Sequence, residues 1–244
     1  LDLNHFILWA KENLHNSGEA KSYLSGRGVT EEISLRFDLG FINADYEPSR
    51  ILDKNHSDSC ESDSKCDTCR FLKWSSNSRI KDRIVLPLST YSGAFVGFQT
   101  RSIHEKAYDT FLITRRPEAY FFGLSPNIQT IWVRKHVILV EGPFDCLVLQ
   151  RFTDHPVLAI TTNSTNEMQS RFLRRFVENL YLFLDRDAAG RDGSTSIMRK
   201  TPDLSHAKLE IPLKYQCKDV NDMWKKLGDK NFKDEVEKIL SRVI

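Results

Sequence analysis

The chain has 244 residues, of which 40% are hydrophobic and 28% charged, an ordinary globular make-up long enough for one large domain or two small ones. Lys and Arg number 35 against 33 Asp and Glu, so bulk charge does not announce a nucleic-acid partner and the distribution of charge has to carry that information. No apolar stretch reaches membrane-spanning length and no secretory signal is present. The 5 cysteines do not form an extracellular disulfide pattern, and together these features point to a cytosolic compartment. The chain opens on Leu1 without a methionine, as expected of a fragment or a processed product.

Residues 3 to 24 carry helical periodicity in Leu3, Phe6, Ile7, Ala10 and Leu14, then, after a break at Gly18, in Ala20, Tyr23 and Leu24. Thr30 is placed to cap a helix that buries Ile33 and Phe37, with Glu31 and Glu32 in its first turn, where the helix dipole favours negative charge. Leu39-Gly40-Phe41-Ile42 reads as the entry to a strand.

Between Asp53 and Ser78 lies a polar segment with His56, Cys60, Cys66 and Cys69. Cys66-Asp67-Thr68-Cys69 is a C-x₂-C pair, and with His56 and Cys60 it supplies the four donors of a structural Zn²⁺ site. A segment this polar has no apolar core of its own, and a metal would provide one. The alternative is a plain loop with reduced thiols. Cys146 and Cys217 read as buried apolar positions.

Basic residues follow at Arg79, Lys81 and Arg83. Arg83 to Leu88 and Ala94 to Arg101 read as two strands joined by the turn Tyr91-Ser92-Gly93. Further basic pairs stand at Arg115-Arg116 and Arg134-Lys135.

From His136 the pattern changes to a βα alternation. It gives a strand, a helix over 144–152, a strand over 157–161 and a helix over 167–178. A strand over 180–184, a helix over 193–200 and a strand over 207–212 complete it. This predicts a parallel sheet with helices on both faces. The first strand delivers Glu141-Gly142-Pro143-Phe144-Asp145, and the strand at 180 delivers Asp185-Arg186-Asp187-Ala188-Ala189-Gly190. Ligands of open α/β sheets bind at the carboxyl ends of the strands, so Glu141, Asp145, Asp185 and Asp187 are expected in one cleft. Carboxylates that close raise one another's pKa unless a cation neutralises them, and hard oxygen donors select Mg²⁺ or Mn²⁺. Asp192 is either a further acidic neighbour or a cap before Gly193. A last amphipathic helix is expected over 232–243.

The Glu motif and the Asp-x-Asp motif, in this order and spacing, resemble the Toprim domain shared by bacterial-type primases, topoisomerases and some nucleases. Lys218-Asp219-Val220-Asn221-Asp222 resembles the third motif of the DnaG-type and phage primases, with Asn221 where many members have Asp. Tyr23, Leu24, Arg27, Gly28, Phe37, Leu39, Gly40 and Phe41 are similar to the opening of the bacterial primase core, and Arg83 and Arg101 match the arginines of its hairpin. The family's lysines between that hairpin and its Tyr/Phe-Gly-Leu segment are missing here; Arg115 and Arg116 stand nearby, but arginine is not equivalent to lysine at a phosphate.

The resemblance implies an α+β N-terminal subdomain over 1–134, with the cysteine insert at about 54–78. An α/β Toprim domain over 135–225 and a C-terminal helix over 226–244 packing on the core follow. It implies a DNA primase core that makes short RNA primers from nucleoside triphosphates on single-stranded DNA. Glu141, Asp185 and Asp187 would be catalytic, with Asp219 as a further metal ligand and Asp145 either as an additional ligand or as a group supporting the ligands from behind. Arg79, Lys81, Arg83, Arg101, Arg115, Arg116 and Lys218 would contact phosphates of the template, the RNA–DNA hybrid or the nucleotide. A replicative helicase is the implied partner, in a bacterial cell or a phage-infected host, with no membrane involved. Two alternatives stand beside this reading: a Toprim-type metal-dependent nuclease, and an inactive primase-like module that binds nucleic acid.

Overall fold

The computed structural model describes residues 3–45, 66–76, 80–113, 118–162 and 164–244. The N-terminal half begins with helices α1 (Leu3–Asn16), α2 (Gly18–Ser25) and α3 (Glu31–Arg36). Ser17 caps α2 by accepting the Ala20 N–H, and Thr30 caps α3 by accepting the Ile33 N–H, as its sequence position predicts. Strand β1 (Gly40–Ile42) follows, then helix α4 (Asp67–Ser75) and the antiparallel strands β2 (Arg83–Thr90), β3 (Phe95–Ser102) and β4 (Tyr108–Leu112). Strand β5 (Tyr120–Phe122) and helix α5 (Leu124–Arg134) lead into the second half.

There the chain alternates β6 (His136–Val140), α6 (Pro143–Arg151), β7 (Val157–Ala159), α7 (Glu167–Phe176), β8 (Asn179–Leu182), α8 (Ala188–Lys200) and β9 (Ser205–Lys208), and ends in α9 (Val220–Leu240). Among the described residues nine strands form one sheet in the order β4-β3-β2-β5-β7-β6-β8-β9, with β1 on β2. β1 and β5 share one edge of β2, pairing at Arg83–Val85 and at Leu88–Thr90 respectively. The fold class is therefore an α+β N-terminal half followed by an α/β half with a parallel sheet.

The path of the chain creates the cleft. β6 pairs with β7 on one side and β8 on the other, both parallel. The crossover to β7 runs one way and the crossover to β8 the other. Right-handed connections then put α6 on one face of the sheet and α7 and α8 on the opposite face. The side chains of β6 divide accordingly. Ile138 and Val140 pack with Phe144 and Leu147 of α6 and with Met223 and Phe232 of α9, while Val137 and Leu139 pack with Phe172 and Leu173 of α7 and Ile197 of α8. The strand order reverses between β6 and β8, which is where a doubly wound sheet opens a crevice at the carboxyl ends of its strands.

Several elements differ from their sequence outline. α8 starts at Ala188 rather than at Gly193, and α9 starts at Val220 rather than at Phe232, with a break at Gly228. α5, unforeseen, turns Leu124 and Ile131 into the core beside α7. The cysteine segment is not uniformly without a core. His56 and Cys60 lie outside the described residues, but residues 67–75 form α4, whose Phe71 is fully buried. Phe71 meets Phe6 edge-on at 5.2 Å and Phe111 at 5.3 Å between ring centroids.

Because α4 is held by this aromatic cluster, Phe71→Ala is expected to cost about 3–5 kcal/mol of unfolding free energy by denaturant titration. A loss below about 1 kcal/mol would mean that α4 is not part of the core.

A candidate acidic active site at the sheet switch point

Glu141 directly follows β6, and Asp185 lies three residues beyond the end of β8, so both stand at the reversal point. The Asp185 N–H donates to Glu141 Oε1 at 3.2 Å, which ties the two motifs together. Gly190 makes this approach possible: a Cβ there would stand 2.0 Å from the Asp185 carbonyl oxygen and 2.8 Å from Glu141 Oε1. Only glycine fits.

Each remaining carboxylate is held by backbone. Asp187 caps α8, its Oδ1 accepting the Gly190 N–H at 2.9 Å. Asp219 caps α9, its Oδ1 accepting the Asp222 N–H at 2.7 Å. Asp145 Oδ1 accepts the Asn221 N–H at 2.8 Å, also in the first turn of α9. Unpaired N–H groups at a helix start are natural anchors for negative charge. Asp192 is exposed inside α8, so it is not the cap of that helix.

Of the two positions expected for Asp145, it takes the supporting one rather than that of a ligand open to the cleft. It sits on α6, a helix buried on nearly all sides, and is itself only 8% exposed. Its carboxylate faces the start of α9, which makes it an internal tie between two motifs rather than a group open to solvent.

Lys218 closes the cluster. Its Nζ lies 3.2 Å from Asp185 Oδ2 and 3.0 Å from Asp187 Oδ2. Among the described residues no three His, Cys, Asp or Glu side chains have converged into a formed coordination sphere; the ammonium stands between the two aspartates instead. Both carboxylate bonds raise the Lys218 pKa above the usual lysine value.

Burial, followed by the charge of Asp185, pushes the Glu141 carboxyl up to about 7. Burial first, then neighbouring carboxylates, raises Asp219 as well, and Asp145 well above its ordinary value. Asp185 is raised by burial against the pull of Lys218, while Asp187 is lowered, first by the Gly190 N–H. The donor set is all hard oxygen, with more negative charge than one lysine balances, which fits a divalent cation.

The basic residues expected at the site are distributed unevenly. Arg79, Arg115 and Arg116 lie outside the described residues, and Lys81 is exposed just ahead of β2. Arg83, expected in a substrate groove, is buried at 4% exposure, and its guanidinium is 3.3 Å from the Ala107 carbonyl. It braces the loop between β3 and β4, because an inward position on a strand leaves a guanidinium no choice but internal acceptors. Arg101 is equally buried, donates from Nε to the Tyr23 hydroxyl at 3.0 Å and lies 4.8 Å over the Tyr108 ring.

That contact leads to a residue not singled out as a site residue from sequence. The Arg27 guanidinium is half-exposed, stacked over Tyr23 at 5.6 Å and Phe144 at 5.3 Å. It also donates to Asn221 Oδ1 at 3.4 Å, while Asn221 Nδ2 donates back to the Arg27 carbonyl at 2.7 Å. Arg27 thus joins the N-terminal half to the third acidic motif. The signal was present in the Arg27-Gly28 pair, but its partner stands 194 positions away.

An α/β sheet with a Glu motif and an Asp-x-Asp motif at its switch point defines a Toprim-like domain, and the family pattern of that description matches residues 138–224. A second pattern, described as the DNA primase catalytic core, N-terminal domain, matches residues 9–120. In domain content the chain thus combines, in this order, the N-terminal domain of a DNA primase catalytic core and a Toprim-like domain. It is 26% identical over 208 residues to the DNA primase of Aquifex aeolicus, covering 82% of this chain and 41% of that protein. It is 23% identical over 237 residues to the DNA primase of Clostridium acetobutylicum, covering 94% of this chain and 39% of that protein. The chain therefore spans about two fifths of the length of these relatives. The solved structure described as the DnaG primase catalytic domain bound to ssDNA has the same fold, with a TM-score of 0.74 at 18% identity over 96% of this chain and 79% of that one.

The raised carboxyl groups give a pH dependence. A group whose folded pKa lies above its unfolded value keeps its proton longer in the folded state, so stability falls as pH rises from the unfolded value towards the folded one. For Glu141 that window runs from 4.5 to about 7. Without divalent cation, Glu141→Gln is expected to gain stability over the parent as pH rises through this window, by roughly 1 kcal/mol once solvent screening is allowed for. Melting temperatures in chelator across that range measure it, and parallel curves for the two proteins would contradict the raised Glu141 carboxyl, whose first cause is burial.

Proposed function

We propose that this chain is the catalytic core of a DNA primase, joining nucleoside triphosphates into short RNA primers along a single-stranded DNA template. The observation that carries the reading is the tie between the two halves. The acidic cleft is continuous, through Asp145, Asn221 and Arg27, with the primase-type N-terminal half, and is not a free-standing Toprim unit.

Phosphoryl transfer asks a protein for alignment and for charge stabilisation more than for covalent chemistry. Asp185 and Asp187, with Glu141 beside them and Asp219 adjacent, would hold Mg²⁺ or Mn²⁺. A divalent cation at this point would neutralise charge on the phosphates of an incoming nucleotide. The chain's own groups do the rest. The backbone N–H of Asp185 and the caps of α8 and α9 fix the carboxylates before substrate arrives, so little reorganisation remains at the moment of reaction. Lys218, half-exposed beside Asp185 and Asp187, is within reach of a triphosphate bound there. Arg27 and Lys81 offer cations to a nucleic-acid backbone, and contacts of this kind make binding salt-sensitive. A replicative helicase is the partner such a core would serve.

For the cysteine segment we retain zinc as the metal. Cys66 and Cys69 are both partly exposed at the start of α4, and with His56 and Cys60 they make up the donor set of a structural zinc site. Metal analysis of the purified protein is expected to find zinc in equal amount to the chain, lost in Cys66→Ser/Cys69→Ser; a metal-free wild type would overturn the zinc reading.

The primase reading is tested by incubating single-stranded DNA, labelled nucleoside triphosphates and Mg²⁺ or Mn²⁺ with wild type and Asp185→Ala. Short RNA products are expected from wild type, falling by at least about a hundredfold in the variant. Metal-dependent cutting of the template without synthesis would establish a nuclease instead. Template binding with neither reaction, even on a pre-annealed primer, would establish an inactive binding module.

A further inference from the structure

We infer that Lys218 is a tethered counter-ion: its ammonium holds the place between Asp185 and Asp187 that a divalent cation takes, and must be displaced for the cation to enter. The inference rests on the metal-site reading above and concerns how that site is filled.

Three observations carry it. The first is convergence. Asp185 and Asp187 are two positions apart in one turn, yet one oxygen of each reaches the same Nζ, at 3.2 and 3.0 Å. The two carboxylates thus already share one cation, the lysine's ammonium. The second is the independent fixing of the backbone. The Arg186 N–H, between the two aspartates, donates to the Lys218 carbonyl at 2.8 Å. The third motif is therefore stitched alongside the Asp-x-Asp turn by its main chain, and the lysine side chain is free to leave without the motif coming apart. The third is exposure. The Lys218 side chain is 50% exposed against 15% for Asp185, so the ammonium can swing into water while the carboxylate it leaves stays largely enclosed and in need of charge.

The consequence is an exchange. With no divalent ion, Lys218 keeps the aspartates from repelling one another. When the ion enters, the released ammonium remains within a side chain's length of the site, next to the phosphates of any nucleotide that arrives with the metal. Lys218 thus weakens binding of the bare cation and favours the cation delivered with a polyphosphate, acting as a positioning residue with an effect on cation affinity separate from turnover.

The experiment is a Mn²⁺ titration of the intact protein, read by the electron paramagnetic resonance signal of free Mn²⁺, on wild type, Lys218→Gln, Lys218→Arg and Asp185→Asn. Removing a unit charge a few ångströms from a dication in a solvent-rich site corresponds to about tenfold in affinity. Lys218→Gln is therefore expected to bind Mn²⁺ about tenfold more tightly than wild type. Lys218→Arg is expected to stay near wild type, and Asp185→Asn to lose the site. Lys218→Gln should also melt lower than wild type in chelator and regain that loss on adding Mn²⁺, a recovery that a merely structural lysine would not give. If wild type binds Mn²⁺ in an Asp185-dependent way and Lys218→Gln binds it equally or more weakly, the counter-ion role is overturned and the metal site stands. If no protein binds Mn²⁺, or binding ignores Asp185→Asn, both readings fall together.

Discussion

Like charge crowded into one sheet-end crevice is the constraint on which the rest of this structure depends. Glu141, Asp145, Asp185, Asp187 and Asp219 gather around the reversal between β6 and β8, where folding alone would have them repel. The protein answers with backbone N–H groups. Those of Asp185, Gly190, Asn221 and Asp222 go to Glu141, Asp187, Asp145 and Asp219 respectively. Three of these donors belong to the first turns of α8 and α9, so the helices that build the fold also aim positive dipole ends at the site. Lys218 supplies the one full positive charge that pairs with the cluster among the described residues.

This arrangement explains why the N-terminal half cannot be detached from the site. α6 starts from the Glu141 turn and is buried on almost every side, covered by α9 and by residues of the N-terminal helices such as Leu24 and Ile33. A helix apolar all round has to be enclosed. Gly28, in the left-handed region at φ 81°, lets the Trp224 ring of α9 come so close that a Cβ would stand 2.8 Å from it. α9 is thereby pinned between the two halves, and its N-terminus, which receives Asp145 and Asp219, is pinned with it. Arg27, one residue before that glycine, then reaches Asn221.

Hydrophobic period and motif spacing made much of this legible from the residues. The alternation after His136 set out the parallel sheet, and the carboxylates after its first and third strands located the cleft, because in an open α/β sheet function collects at strand ends. The cap at Thr30 and the hairpin at 83–101 were equally local signals. Less legible were α5, whose buried positions are too few to announce a helix, and α4, hidden in a polar segment whose few aromatics find their partners on α1, β3 and β4. The early starts of α8 and α9 are hidden for one shared reason: their caps are the motif aspartates, whose spacing signals chemistry before it signals a helix end.

What the sequence determined by itself was the set of elements and the inventory of charge, since strand periodicity and carboxylate spacing are short-range properties of the chain. What only tertiary structure decided was the use of each charged group. Asp145 is buried and spent on a helix start, Arg83 is spent on a loop carbonyl, Arg27 reaches Asn221 across the interface of the two halves, and Lys218 sits between two aspartates. The reason is physical. A charge's role follows from its desolvation and its partners, and both are set by packing between segments far apart in sequence, which no local pattern encodes.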